Sequence, residues 1–449
     1  GSFRELVMFI QDNNLTTHLG RSSGSSLSLR AEPLERRGGD PALWFDSATH
    51  GDPATAVLNT YLGDPIVVRA LVGATNDVHT WHLDGHWFRS ERFSTDSKPI
   101  STVHLGISER YDLIVPAAGG PQRMPGDYLY YNGRTFKLAE GSWGILRVHE
   151  GDSEVGLMKL PGREISPAPA TSVCPPAAPL KKFSVSAIHV GLPMLGGGFG
   201  KIFALDVDIS DIVSGDKEPE PLVLRINIGD CVKVRLSNNL PEGRVSFHAD
   251  MLAYDPADSM GITAGFNPVQ TIAPGESKTY RFFAHPDYGE GAALVRDWGN
   301  VLVNPGLGLY GAIVVGPKGA EYTDPVTGED VSLAASWRAD VHPPDAPSYR
   351  DFTLFMQDED PVIGTHLMPY SHVVEGVVGL NYKASPIEGR QEPIPDTTVV
   401  WTGDTYANPS TPVMEAYAGD ALRIHVMVPF SEQNQVFSIE GHQWPLEPD

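Results

Sequence analysis

The residues best equipped for chemistry sit in one short stretch, His79-Thr80-Trp81-His82-Leu83-Asp84-Gly85-His86. Three imidazoles at spacings of three and four, bracketed by aromatics, are rare by chance and suit a metal ion. A strand-like run, Ile66 to Val72, precedes them. In a strand His82 and Asp84 are two apart and share one face. The same imidazole–carboxylate pair recurs as His248-Ala249-Asp250 and as His285-Pro286-Asp287. Such mixed donor sets suit Mn(II), Fe(II) or Zn(II) as well as copper. Each pair can also satisfy itself, the carboxylate accepting a hydrogen bond from its neighbouring imidazole with no ion present. His79 and His86 are weaker candidate ligands.

The elements that must position these residues read as strands. Short β-branched or alternating runs recur, separated by turn clusters such as Gly63-Asp64-Pro65, Ala273-Pro274-Gly275 and Gly419-Asp420. The 46 glycines and 38 prolines fit a turn-rich all-β protein. No long segment of helical period occurs. Asp206 to Asp211 reads as a short helix or an acidic loop, and its spacing also allows a calcium loop. An internal repeat organises the rest. Phe3–Asp12 recurs as Tyr349–Asp358, and Gly63-Asp64 and Gly85-His86 recur as Gly419-Asp420 and Gly441-His442, 356 positions on (420 − 64). The expected organisation is a first domain over 1–150, a Pro/Ala-rich linker over 151–181 and a second domain over 182–318. A second linker, 319–348, leads to an incomplete repeat of the first domain over 349–449.

Composition narrows the function. At about 150 residues per domain, 449 residues make three domains. No run approaches the roughly 18 apolar residues of a membrane span, no signal peptide opens the chain, and Gly1-Ser2-Phe3 reads as a cut edge. A net charge of −23 disfavours nucleic acid as a partner and concentrates cations at the surface. The two cysteines, Cys174 and Cys231, either bridge the first linker to a strand or remain as two buried thiols. The triplet Asn14-Leu15-Thr16 carries no weight as a glycosylation signal.

The His79–His86 stretch resembles the copper-binding strand of multicopper oxidases, which reads roughly His-Pro-Phe-His-Leu-His-Gly-His; Asp84 stands for its third histidine. With the turn Ala273-Pro274-Gly275-Glu276-Ser277 and the closing run Gly308–Val315, it makes the chain similar to large multicopper oxidases of alternating cupredoxin domains. These are the ceruloplasmin and hephaestin group and bacterial manganese-oxidase-type enzymes. The resemblance implies tandem cupredoxin-like Greek-key β-sandwiches, an extracellular or periplasmic location, and copper in the full-length protein. It also implies where this chain departs. Aligned on the family's closing pattern, Tyr131, Asn132 and Gly133 stand on His-Cys-His, Lys137 on a later His and Ser142 on the Met. Without the cysteine thiolate, no blue copper is expected in this chain. In the third domain Gln435 and Ser438 replace two histidines. His248-Ala249-Asp250 and His285-Pro286-Asp287 stand where the second domain would supply His-x-His pairs to a trinuclear cluster.

These departures predict a mainly structural, copper-free portion of a multicopper-oxidase-like protein that oxidises a metal ion such as Mn(II) with oxygen. The alternative is a non-enzymatic extracellular binding protein that reuses the sandwiches. The remaining polypeptide, or a partner chain, is expected to complete residues 349–449. Where domains one and two meet, His82, Asp84, His248 and Asp250 are expected to converge, with His285 and Asp287 less surely. They form either a vestigial Mn, Fe or Zn site or a metal-free polar lock. A site requires the nitrogens of His82 and His248 within about 4–5 Å of each other, with no Arg or Lys filling the gap.

Overall fold

The computed structural model describes residues 1–13, 24–73, 75, 78–92, 94, 96–151, 156–165, 173–358, 378–387, 390, 397–431 and 434–445. The glycosylation-type triplet at 14–16 lies outside them.

The first strands are β1 Arg4–Asn13, β2 Gly24–Leu27, β3 Val57–Tyr61, β4 Ile66–Val72, β5 His79–Leu83 and β6 Phe88–Arg89. Then come β7 Pro99–Ile100, β8 Thr102–Leu105, β9 Arg110–Val115, β10 Gly126–Tyr131 and β11 Trp143–His149. They make two main sheets, β2-β1-β4-β9 and β3-β11-β10-β5-β8. β4 is β-branched and lies between β1 and β9, so it is paired on both edges and mostly buried. Between the sheets the Trp81 indole N–H donates to Met8 Sδ at 3.1 Å.

The second group comprises β12 Leu180–Gly191, β13 Phe199–Leu205, β14 Leu222–Asn227 and β15 Cys231–Asn238. It continues with β16 His248–Ala249, β17 Ser277–Phe283, β18 Gly291–Arg296 and β19 Tyr310–Gly316. Its sheets are β13-β12-β15-β17 and β14-β19-β18-β16. Every one of these four sheets holds one parallel pair among antiparallel ones: β1 with β4, β3 with β11, β12 with β15, and β14 with β19. This mixed pairing, with the chain crossing between sheets, is the cupredoxin-like Greek key. The two sandwiches share one continuous core. Trp298 packs edge-on against Phe45 and Tyr131 of the first sandwich, with ring centroids 5.4 and 5.2 Å away.

The third assembly is a single sheet, built from β20 Glu321–Thr323, β21 Arg338–His342, β22 Tyr349–Asp358, β23 Val378–Leu380 and β24 Leu422–Ser431. Its β22 and β24 repeat β1 and β4. Arg4 pairs with Ile66, and Arg350 with Leu422. Arg4 binds Asp64, and Arg350 binds Asp420, each at 2.7 Å. Each guanidinium also lies 5.6 Å from a tyrosine ring, Tyr61 or Tyr417. The aspartate completes both turns by accepting the tyrosine N–H, and Gly63 and Gly419 supply the left-handed residue that the turn needs, at φ +81° and +95°.

Two expectations change, those for the second linker and for the strand around Gln435. Residues 319–348 are not only a linker, since β20 and β21 extend the third sheet and bury Tyr322, Ala339 and Val341. Of the readings left open for the acidic stretch from Asp206, the short helix is present, over Ile209–Ser214. The third copy's counterpart of β5, around Gln435, forms no strand among the described residues. Cys174 and Cys231 are bonded as a disulfide.

Candidate functional site

His82 lies near the end of β5, paired in register with Thr102 of β8 and Tyr131 of β10. Those neighbours fix its ring. Thr102 Oγ1 is 2.7 Å from Nδ1, and the Tyr131 ring lies 4.7 Å away. Asp84 follows the strand, its N–H donating to Leu129 O at 3.0 Å. Gly85 then turns the chain at φ +64°, where a Cβ would lie 2.6 Å from the Tyr128 ring. From the second sandwich, His248 pairs in register with Arg296. Its Nδ1–H donates to Met260 O at 2.5 Å, which leaves Nε2 facing the first sandwich. Asp250 is set by its N–H bond to Leu294 O at 3.0 Å.

The four side chains meet as an alternating square. Asp84 Oδ1 lies 2.9 Å from His82 Nε2 and 3.3 Å from His248 Nε2. Asp250 Oδ1 lies 3.4 Å from His82 Nε2 and 2.8 Å from His248 Nε2. Asp84 is fully buried and both imidazoles nearly so, and Asp84 Oδ2 has no hydrogen-bond partner. Burial alone would lower both histidines, but the two carboxylates outweigh it and push His82 up to about 9 and His248 up to about 10. Burial acts upward on the aspartates, yet the imidazoles hold Asp84 below the usual carboxylate range and Asp250 well below it. Arg296 flanks the square, its guanidinium 4.0 Å from Asp250 and bonded to the Tyr131 hydroxyl at 2.5 Å.

The other candidates do not join this group. His86 donates Nδ1–H to Asp84 O at 2.8 Å and accepts the Gly119 N–H at 2.9 Å. Burial pushes it down to about 4, so it is a neutral bracket of the turn. His285 and Asp287 stand 3.8 Å apart at the edge of a different cavity, beside Trp87 and Arg123. His79 lies in the interior of the first sandwich. Its Nδ1 accepts from the Asn132 amide at 2.8 Å, and its Nε2 is 3.3 Å from Asp12. Lys137, also fully buried, binds the same Asp12.

These residues do not fit the copper centres that the resemblance implies. Where a thiolate belongs, Asn132 occupies the lone pair of His79, and Lys137 places an ammonium nearby. Both cysteines are consumed in the disulfide. At the place of a trinuclear cluster, two histidines stand against two aspartates. Thr102, Met260 and Arg296 had no signal in the sequence. Tyr131 had one, as the residue standing on a ligand position.

No family model matches the sequence, and no curated protein matches it. Among solved structures the chain is similar to a laccase from Botrytis aclada at 16% identity and a TM-score of 0.23, covering 70% of this chain and 64% of that one. It is also similar to the copper nitrite reductase from Nitrosomonas europaea, at 14% identity and a TM-score of 0.24, covering 74% and 100%. The copper-containing nitrite reductase from Thermus scotoductus gives 15% identity and a TM-score of 0.25, covering 70% and 68%. The chain thus spans less than two thirds of the laccase. The fold rests on the strand order described above and not on these likenesses.

Proposed function

We propose that this chain is a bracing, copper-free portion of an extracellular or periplasmic multicopper-oxidase-like protein whose copper centres lie outside it. The substrate proposed for the whole is a reduced metal ion such as Mn(II), oxidised at those centres by oxygen; the acidic balance of the chain suits such a cation. One observation carries the reading. At four positions that would hold a copper ligand stands a group that binds its neighbours instead: Asn132 on His79, Lys137 on Asp12, and Asp84 and Asp250 on His82 and His248. The disulfide suits an oxidising compartment.

The partner belongs to the same proposal. The apolar side chains that the third domain leaves exposed, Tyr417 among them, are covered in the working protein by further strands, supplied by the same polypeptide or a partner chain.

Copper loading tests the reading. The chain, incubated with Cu(II) and Cu(I) and desalted, is expected to show no intense Cu–thiolate band. A blue chromophore held by the chain sinks the proposal.

A further inference from the structure

We infer that His82, Asp84 and Asp250 form a mononuclear site for a divalent cation of the Mn(II) or Fe(II) class, entered from a cavity between the three sheet assemblies. One ligand atom from each of the three residues lies within 4.8 Å of the other two, so a small shift brings all of them to a common ion at bonds of about 2.0–2.2 Å. The second sign is Asp84 Oδ2. It is sealed from water and has no hydrogen-bond partner, although the other oxygen of the same carboxylate has two imidazoles beside it. A buried carboxylate oxygen left unmatched is costly, and a cation bound by the carboxylate removes the cost.

The surrounding groups are placed as outer supports of a metal site. Thr102 Oγ1 at 2.7 Å from His82 Nδ1 orients the ring with Nε2 toward both carboxylates. His248, anchored on Met260 O, lies against the same two carboxylate oxygens at 2.8 and 3.3 Å and holds them in place. A cavity of about 290 Å³ opens on the site, lined by His82, Asp250, Thr102, Tyr131, Arg296 and Gln435. It supplies an entry path and room for water ligands. One imidazole with two carboxylates, and no sulfur, is a hard donor set that suits Mn(II) or Fe(II) better than Cu(I). Binding displaces the Nε2 proton of His82, and the dication takes the place of that positive charge between the two carboxylates.

The inference goes beyond the copper-free reading and fails separately from it. The whole chain, stripped with a chelator and desalted, is titrated with Mn(II) alone while the EPR signal of free Mn(II) is followed. One Mn(II) per chain is expected. Asp250→Asn, at the cavity edge, is expected to weaken binding at least tenfold, as is His82→Gln. Pulsed EPR of the bound ion is expected to show modulation from one imidazole nitrogen, lost in His82→Gln. Absence of a stoichiometric site in the wild-type chain overturns the inference. So does bound Mn(II) without nitrogen modulation, a measurement that needs no variant. Folded Asp250→Asn and His82→Gln chains that bind as the wild type does overturn it too, and leave the square as an ion-pair network.

Discussion

At the scale of single residues, the interior of the first sandwich shows what replaces a metal. Lys137 and Asp12 are both buried, with His79 beside them. Burial by itself would raise the Asp12 carboxyl, but the hydrogen bond from His79 and the Lys137 ammonium outweigh it and hold the group far below the usual range. A carboxyl held low in the folded state contributes stability above its unfolded value, about 3.9. That contribution fades as pH falls below this value. Removing the carboxylate strands a buried ammonium, which costs about 3–5 kcal/mol. Asp12→Asn is therefore expected to destabilise the chain by about that amount at pH 7, with the difference from wild type shrinking below pH of about 4. Denaturant unfolding at pH 7 and pH 3 measures both. A constant difference would mean that the carboxylate is not ionised in the fold.

At the scale of elements, the disulfide ties the segment before β12 to the start of β15. Its two cysteines are 57 residues apart. Restraining a loop of that length in the unfolded chain is worth about 4 kcal/mol in the chain-entropy model. Cys174→Ser is expected to lower the stability of the second sandwich by a similar amount, read from its unfolding midpoint with and without reductant. An unchanged midpoint in the variant means that the native bond adds nothing. The strands that the sequence made legible were those with a strong local pattern. β4 is a β-branched run between turn clusters, and β1 and β22 announce themselves as repeats. β21 was missed, although Arg338-Ala339-Asp340-Val341-His342 alternates with Ala339 and Val341 inward; the turn-rich flanks of 319–348 hid it. At the site, His82 with Asp84 and His248 with Asp250 could be read because strand spacing puts each pair on one face. Thr102, Met260 and Arg296 could not, because they reach the square only through sheet pairing and loop packing across long stretches of chain. His285-Pro286-Asp287 matched the same spacing but begins a short 3-10 turn, so its side chains point elsewhere.

At the scale of the whole molecule, the repeat provides an internal control. Tyr61, Ala70 and Val72 of the first copy are 3%, 0% and 5% exposed, whereas their equivalents Tyr417, Val426 and Val428 are 79%, 38% and 42% exposed. The backbone register from Arg350 to Phe355 and the arginine–aspartate–tyrosine arrangement repeat those of the first copy, whereas Val428 falls at a bulge that Val72 lacks. At Val426, then, the strand itself does not cause the difference. The second sheet of the first sandwich does, and the third sheet has no counterpart of it among the described residues. Contiguous apolar surface of this kind marks an interaction site. Paired substitutions measure the effect. Tyr61→Ala loses a buried ring and its hydroxyl bond to Leu157 O at 2.7 Å, and large-to-small changes of this kind cost about 3–5 kcal/mol. Tyr417→Ala, on an open face, is expected to change stability by no more than about 0.5 kcal/mol in this chain. Hydrogen exchange is likewise expected to be faster in β24 than in β4. If a covering sheet from the same polypeptide or a partner is then supplied, the cost of Tyr417→Ala should rise toward that of Tyr61→Ala and β24 should become protected. Equal costs in the chain by itself would mean that the face is already covered, and the proposed partner would have no place to bind.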